Sequence, residues 1–221
     1  MAVRLVVFDV DGTLTRHNSI WWRLHQVFGS EKQGKEYYDQ FFSGKITYRQ
    51  WADLDAALWR GKSLKEIEQI VQSTELVPGA QQTIEALKAN GMKVAILSGG
   101  VDLLANDVAR RLGIDYVLTN HLLHRDGVLT GEVEVNVGWG AKVEEIGQIV
   151  DHFGTTLRET CFVGDGKNDI SVFSVVGLSI AFRPENDDVA KSASVVIRED
   201  DLRLILPHIV KRHHVSKRVK T

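Results

Sequence analysis

The sequence predicts an α/β fold: a Rossmann-like, doubly wound parallel sheet with an inserted small helical-bundle cap and a β-hairpin. Three observations carry this. From Val77 onward, short β-branched runs alternate with helical stripes; between Thr15 and Val77 only helical signals occur; and Asp126-Gly127 separates two alternating runs, a strong hairpin signal.

The first strand is Val3 to Phe8, where Val3, Leu5, Val6, Val7 and Phe8 form an apolar run suited to burial on both faces of a parallel sheet. It stops at Asp9-Val10-Asp11-Gly12, which delivers two acids to the carboxyl edge of the sheet, where open α/β folds place their ligands. Helical signals follow. Ile20, Leu24 and Val27 keep one stripe, capped by Asn18 or Ser19 and stopped by Gly29, and a second helix spans Glu31 to Phe42. Thr47 with Gln50 and Ser63 with Glu66 read as capping boxes, opening stripes at Trp51, Leu54 and Leu58 and at Ile67, Ile70 and Val71. Such a block packs most easily as its own bundle.

Pro78-Gly79 then opens a helix with Ala80, Ile84 and Leu87, which closes at Asn90-Gly91 and feeds a strand at Lys93 to Leu97. A helix with Val101, Leu104, Val108 and Leu112 stops at Gly113, and a strand at Ile114 to Leu118 precedes the hairpin of His121 to Val135. Val143, Ile146 and Val150 mark a helix, Thr160 to Val163 a strand and Ile170 to Val176 a helix. Leu178 to Phe182 and Val195 to Ile197 add strands, and Leu202, Ile205, Leu206 and Ile209 the last helix. The expected division is a discontinuous core, 1–15 and 76–210, a helical cap, 16–75, placed as a lid beside Asp9 and Asp11, and a basic tail, 211–221.

A chain of 221 residues, 43% hydrophobic and with a formal charge of -2, holds one core with a small insert and gives no global reason to expect nucleic acid as a partner. Cys161 is the only cysteine, so no intrachain disulfide forms, and no apolar run is long enough to cross a bilayer. A cytoplasmic protein with no membrane partner is expected. The sequence fixes no oligomeric state and leaves a homodimer open.

Four sites fall at strand ends or helix starts: Asp9 with Asp11, Ser98-Gly99-Gly100, Lys142, and Gly164-Asp165-Gly166-Lys167-Asn168-Asp169. Asp11-Gly12 alone reads as a turn. A calcium loop fails, because its sixth and twelfth positions are Leu14 and Ile20 instead of Gly and Glu. Together the four sites suit phosphoryl transfer. One carboxylate attacks phosphorus, hard oxygens select Mg2+, the hydroxyl, backbone N–H groups and lysine hold the phosphate, and a second carboxylate moves the proton.

DVDGTLT, the serine of Leu97-Ser98-Gly99, Lys142 and GDGKND resemble, in order, the four motifs of the haloacid dehalogenase superfamily, and the helical insert resembles the cap of its phosphoserine phosphatase branch. The resemblance implies Asp9 as nucleophile and Mg2+ ligand, and Asp11 as general acid and base and, through its main-chain oxygen, a metal ligand. It implies Ser98, the Gly99 N–H, Lys142 and Asn168 as phosphate-binding groups, and Asp165 and Asp169 as further metal ligands. The expected activity is a Mg2+-dependent phosphatase acting on a small phosphomonoester through an aspartyl-phosphate. The alternatives are a phosphotransferase of the same family and a binding or regulatory protein that keeps the fold.

The cap departs from that branch. Where the branch meets its substrate with a glutamate and an arginine, this chain has Asn18 and Asp55, and an acid there repels a carboxylate; Arg49 or Arg60 substitutes only if the register shifts. Trp21, Trp22, Trp51, Trp59, Tyr37, Tyr38, Phe41 and Phe42 are expected to fill the bundle core, with one or two facing the site. Trp139, just ahead of Lys142, is the better candidate for contact with the leaving group.

Overall fold

The computed structural model describes residues 2–17 and 19–210, so Asn18 and the basic tail lie outside the described residues. Strands β1 (Leu5–Phe8), β2 (Lys93–Val101), β3 (Tyr116–Arg125), β4 (Val128–Glu134), β5 (Thr160–Gly164), β6 (Leu178–Phe182) and β7 (Val195–Ile197) form one seven-stranded sheet in the order β4-β3-β2-β1-β5-β6-β7. Every pairing is parallel except the β3–β4 hairpin. The wholly buried β1 lies in the middle, with Phe8 opposite Ile96 on one side and Val163 on the other. Residues just beyond those three therefore share one edge, at the point where the strand order reverses and a crevice opens.

Helices α1 (Ile20–Phe28), α2 (Glu31–Phe42), α3 (Tyr48–Leu58) and α4 (Leu64–Ser73) lie between β1 and β2 in sequence. The chain leaves and returns through paired backbone: Arg16 N–H donates to Glu75 O and Val77 N–H to Leu14 O. Ser19 caps α1 and Gly29 ends it in the left-handed conformation, while the Thr47–Gln50 capping box forms as expected. Ser63 caps α4 through Lys65 N–H, without a return bond from Glu66.

The cap helices do not close a core of their own. Ile20, Leu24, Ala56, Trp59 and Ile67 join Val6, Phe8 and Ile96 in one apolar cluster, because four helices of 9 to 12 residues have too little mutual surface to bury. The inward face of α3 carries Ala52, Asp55 and Ala56; Trp51, Leu54 and Leu58 are only half-buried, and Val27 on α1 is exposed. Small residues let α3 approach its neighbours, which a stripe counted on bulk alone misplaces.

In the other half, α5 (Ala80–Ala89), α6 (Asp102–Leu112) and α7 (Lys142–His152) form where helices were predicted, except that Val101, expected in the α6 stripe, belongs to β2. The strand predicted to end at Leu97 runs on to Val101, and a bulge absorbs Ser98-Gly99-Gly100: Leu97 faces Leu118 and Val101 faces Asn120. Ser98 is therefore not at a helix start. The strand expected at Ile114 to Leu118 begins at Tyr116 and continues unbroken into the hairpin. Helix α8 (Ile170–Phe173) stops short of Val176, α9 (Asp187–Ser192) is an unpredicted turn and a half capped by Asn186, and the last helix opens as a 3-10 turn at Leu202–Ile205. Among the described residues no helix is long and apolar enough to cross a membrane.

Candidate active site

The end of β1 sets the centre of the site. Asp9 N–H donates to Val163 O, which continues the β1–β5 ladder one step and brings the Asp9 carboxylate out at the sheet edge. Lys142, the first residue of α7, is fully buried and bridges two strand ends: its Nζ lies 2.8 Å from Asp9 Oδ2 and donates to Asp169 Oδ1 at 2.6 Å. Asp169 Oδ2 in turn accepts the N–H groups of Asp165 and Gly166 at 3.0 Å, folding the Gly164-to-Asp169 segment back on itself. Asp165 is fixed from the turn after β1, since Thr13 Oγ1 donates to its Oδ1 at 2.6 Å.

Asp9, Asp165 and Asp169 each present one oxygen, all within 4.8 Å of one another. Burial pushes the Asp165 carboxyl well up, reinforced by Asp9 and Asp169. Asp169 is also raised by burial, against the pull of Lys142. Burial alone would lower Lys142, yet Asp169 and Asp9 outweigh it and raise the ammonium. Three acids around one ammonium leave an excess of negative charge. The donors are hard carboxylate oxygens, so the cluster fits a small divalent cation such as Mg2+.

Asp11 stands apart from this network. It lines the cleft above Asp9, and its Oδ1 is buried without a hydrogen-bond partner. Burial first, and the Asp9 charge second, push its carboxyl up to about 8, with the Ile20 N–H and Lys142 opposing. The bulge on β2 is shaped around it: a Cβ on Gly100 would come 2.8 Å from Asp11 Oδ2. Ser98 lies at the cleft floor, 1% exposed, and accepts the Gly100 N–H on its Oγ at 3.1 Å.

All the strand-end candidates thus converge. Asp9, Asp11, Ser98, Gly99, Asp165 and Asn168 line one cleft of about 360 Å3, with Lys142 buried beneath them and Asp169 behind. The cap closes the other side. Trp21 Nε1 donates to Gly99 O at 3.0 Å, and Trp21, Trp22, Tyr38, Trp51 and Trp139 face the cleft. More rings face the site than the one or two expected, and Trp59 alone of the four cap tryptophans is fully buried. Neither alternative arginine reaches it: Arg49 pairs with Asp53 and Val133 O, and Arg60 packs at Gly131.

Asn120 is a participant that sequence reasoning missed. It is fully buried, its Oδ1 accepts Asn136 N–H at 2.9 Å and Val137 N–H at 2.8 Å, and its Nδ2 donates to Gly99 O at 3.0 Å and Val137 O at 3.1 Å. One amide thereby ties the β2 bulge to the loop that leads to Trp139 and Lys142. The His25–Asp55 contact of the cap, 3.2 Å between Nε2 and Oδ1, was also missed as a pair.

Residues 6–174 match the family model of haloacid dehalogenase-like hydrolases. A phosphoserine phosphatase of Methanocaldococcus jannaschii is 35% identical over 207 residues, covering 93% of this chain and 97% of that protein. One from Wolinella succinogenes is 31% identical over 208 residues, covering 94% and 100%. Among solved structures, a phospho-aspartyl intermediate analogue of phosphoserine phosphatase superposes with a TM-score of 0.81 at 34% identity over 95% of this chain and 100% of that one. A substrate-bound phosphoserine phosphatase complex gives 0.81 at 33% identity, covering 95% and 99%.

Proposed function

We infer, from the premise that this chain belongs to the haloacid dehalogenase-like hydrolases, that it is a phosphoric monoester hydrolase that works through an aspartyl-phosphate on Asp9. The observation that carries the mechanism is the contrast between two acids at one strand end. Asp9 faces the Lys142 ammonium at 2.8 Å, whereas Asp11 stands apart from the lysine with its Oδ1 buried and unpartnered, and burial and the Asp9 charge favour its protonated form. One is suited to attack and the other to donate.

In the first half-reaction an Asp9 carboxylate oxygen attacks phosphorus, and the bond from phosphorus to the leaving oxygen breaks. Asp11 gives its proton to that oxygen. In the second, Asp11, now a carboxylate, takes a proton from water, whose oxygen attacks phosphorus. The bond to Asp9 breaks, phosphate leaves, and both acids return to their starting forms. Ser98 Oγ, the Gly99 N–H, Lys142 and Asn168 hold the phosphate oxygens, and the buried lysine offsets charge as it develops. Mg2+, held by Asp9, Asp165, Asp169 and the main-chain oxygen of Asp11, would supply the charge neutralisation that lets an anionic nucleophile approach an anionic ester.

Helices α1 to α4, residues 16–75 in this division, serve as the cap that excludes water and contacts the leaving group. Support comes from the Trp21 and Tyr48 side chains, which reach from the cap to the same Gly99 carbonyl. The test is phosphate release from p-nitrophenyl phosphate with and without Mg2+. Release that needs Mg2+ and is abolished by Asp9→Asn is expected; release that survives Asp9→Asn would overturn the covalent mechanism.

A further inference from the structure

The cap half of the cleft holds an acid that the phosphatase chemistry does not use. Asp55 lines the cleft from α3 with only 2% of its surface exposed, and its Oδ1 is buried without a hydrogen-bond partner. His25 Nε2 lies 3.2 Å away, out of line for a hydrogen bond. The ring is fixed from behind: Trp59 Nε1 donates to Ser30 Oγ at 3.2 Å, and Ser30 Oγ lies 2.8 Å from His25 Nδ1.

The surroundings are built for this contact. Gly34 stands in the middle of α2, where glycine costs helix stability, and a Cβ there would come 2.5 Å from His25 Nε2. The glycine lets α2 close on the ring. Burial raises the Asp55 carboxyl, and the neighbouring N–H groups of His25 and Trp51 oppose this only in part. Trp21, Trp22, Tyr38 and Trp51 supply aromatic walls to the same cleft. Of the described residues lining it, none is a lysine or arginine, and Glu185 adds a second acid.

We propose that Asp55 and these aromatic walls bind a cationic nitrogen on the leaving group, so that the substrate is a phosphomonoester of an amino or quaternary ammonium alcohol without a carboxylate. The inference rests on the phosphatase reading above and names the substrate class of that site. A buried carboxylate with a vacant oxygen is satisfied in full only by a positive partner; a neutral hydroxyl supplies the hydrogen bond and leaves the charge uncompensated. Electron-rich ring faces attract the same cation, most strongly where water is excluded. A carboxylated leaving group meets Asp55 and Glu185, and among the described residues of the cleft wall no lysine or arginine offsets them.

The test compares kcat/KM for phosphocholine and phosphoethanolamine with that for 3,3-dimethylbutyl phosphate, the uncharged isostere of phosphocholine, and for phosphoserine. At least one cationic ester should exceed the isostere by about tenfold or more and also exceed phosphoserine. Asp55→Asn, which keeps the shape, should bring the cation-to-isostere ratio toward one, and free choline should inhibit the native protein better than 3,3-dimethylbutanol. A neutral isostere that is turned over as well as the cations, a lead for phosphoserine, or a ratio unmoved by Asp55→Asn overturns the inference. Mg2+-dependent release from p-nitrophenyl phosphate in those cases leaves the phosphatase reading standing. No release from any ester, p-nitrophenyl phosphate included, removes both.

Discussion

Gly12 stands directly against Asp165: its φ is +78°, and a Cβ built on it would come 2.1 Å from Asp165 Oδ2. The residue after Asp11 thus needs both a left-handed backbone and an empty side, and each requirement alone selects glycine. Gly12→Ala is expected to cost about 1–3 kcal/mol and to move the Asp165 carboxylate away from Asp9. Urea unfolding measures the first effect, and the rise of Tm with added Mg2+ measures the second. An unchanged midpoint together with an unchanged Mg2+ response would show that the close approach is not maintained in solution.

The Asp11 carboxyl, raised to about 8, links activity to stability with opposite signs. Its folded-state value lies above the unfolded one near 3.8, so its contribution to stability is complete below pH 4 and is lost as pH rises toward 8. At pH 9 the folded protein carries a buried, uncompensated carboxylate. Asp11→Asn removes that cost. In Mg2+-free buffer the variant is expected to melt about 3–6 °C above the native protein at pH 9, roughly 1–2 kcal/mol, with the gap closing toward pH 5. The same variant should lose about 10²–10⁴ in kcat on alkyl phosphates and much less on p-nitrophenyl phosphate, whose leaving group needs no proton. A gap in Tm that widens toward low pH would contradict the assigned environment.

Much of this cleft was legible because Asp9, Ser98 and Asp165 follow short apolar runs, and strand ends in a doubly wound sheet share an edge. Asp9, Asp165 and Lys142 are local readings that the topology then assembles. Ser98 was expected after a strand end and before a helix and lies instead within β2, because two extra residues in a bulge look like a loop when the partner strand is unseen. The cap was harder. Its helix limits follow from Ser19, Gly29 and Thr47, yet Asp55 and His25 lie on different helices and meet only through tertiary packing that small Ala52 and Ala56 permit. Asn120 gave no signal at all: a lone asparagine inside a strand shows nothing of five bonds made to residues distant in sequence.

Those five bonds make Asn120 the clip between the β2 bulge and the loop that leads to Lys142. Asn120→Ala orphans the buried Val137 N–H and frees the Gly99 carbonyl from one of its donors, leaving Trp21 and Tyr48 to hold it. A loss of about 1–3 kcal/mol in stability is expected for the unsatisfied groups. The Ki of inorganic phosphate as a product inhibitor should rise, since Gly99 and Lys142 lie on the two segments that the amide joins. Asn120→Asp restores the acceptor to Asn136 and Val137 but not the donor to Gly99, and should recover part of the stability. Full recovery of both stability and phosphate affinity by Asp would show that the bond to Gly99 carries no weight.

Trp139 latches the loop before Lys142 to the cap. Its ring meets Phe42 edge-on at 5.3 Å and Phe41 at 6.2 Å, across the cleft mouth from the β1 acids, and 41% of it remains exposed. So exposed a ring contributes little to folding, and Trp139→Ala is expected to shift Tm by less than about 2 °C. Its contribution falls on the leaving group. Edge-to-face pairs of this kind are worth about 0.5–1.5 kcal/mol each, so loss of the latch should raise KM for the preferred ester about 3- to 10-fold. Methyl phosphate, too small to reach the ring, should keep its KM within about twofold. An equal rise for both esters would place the effect at Lys142 instead, through a shift of the loop that carries it, and would leave leaving-group contact to the α1 and α3 tryptophans alone.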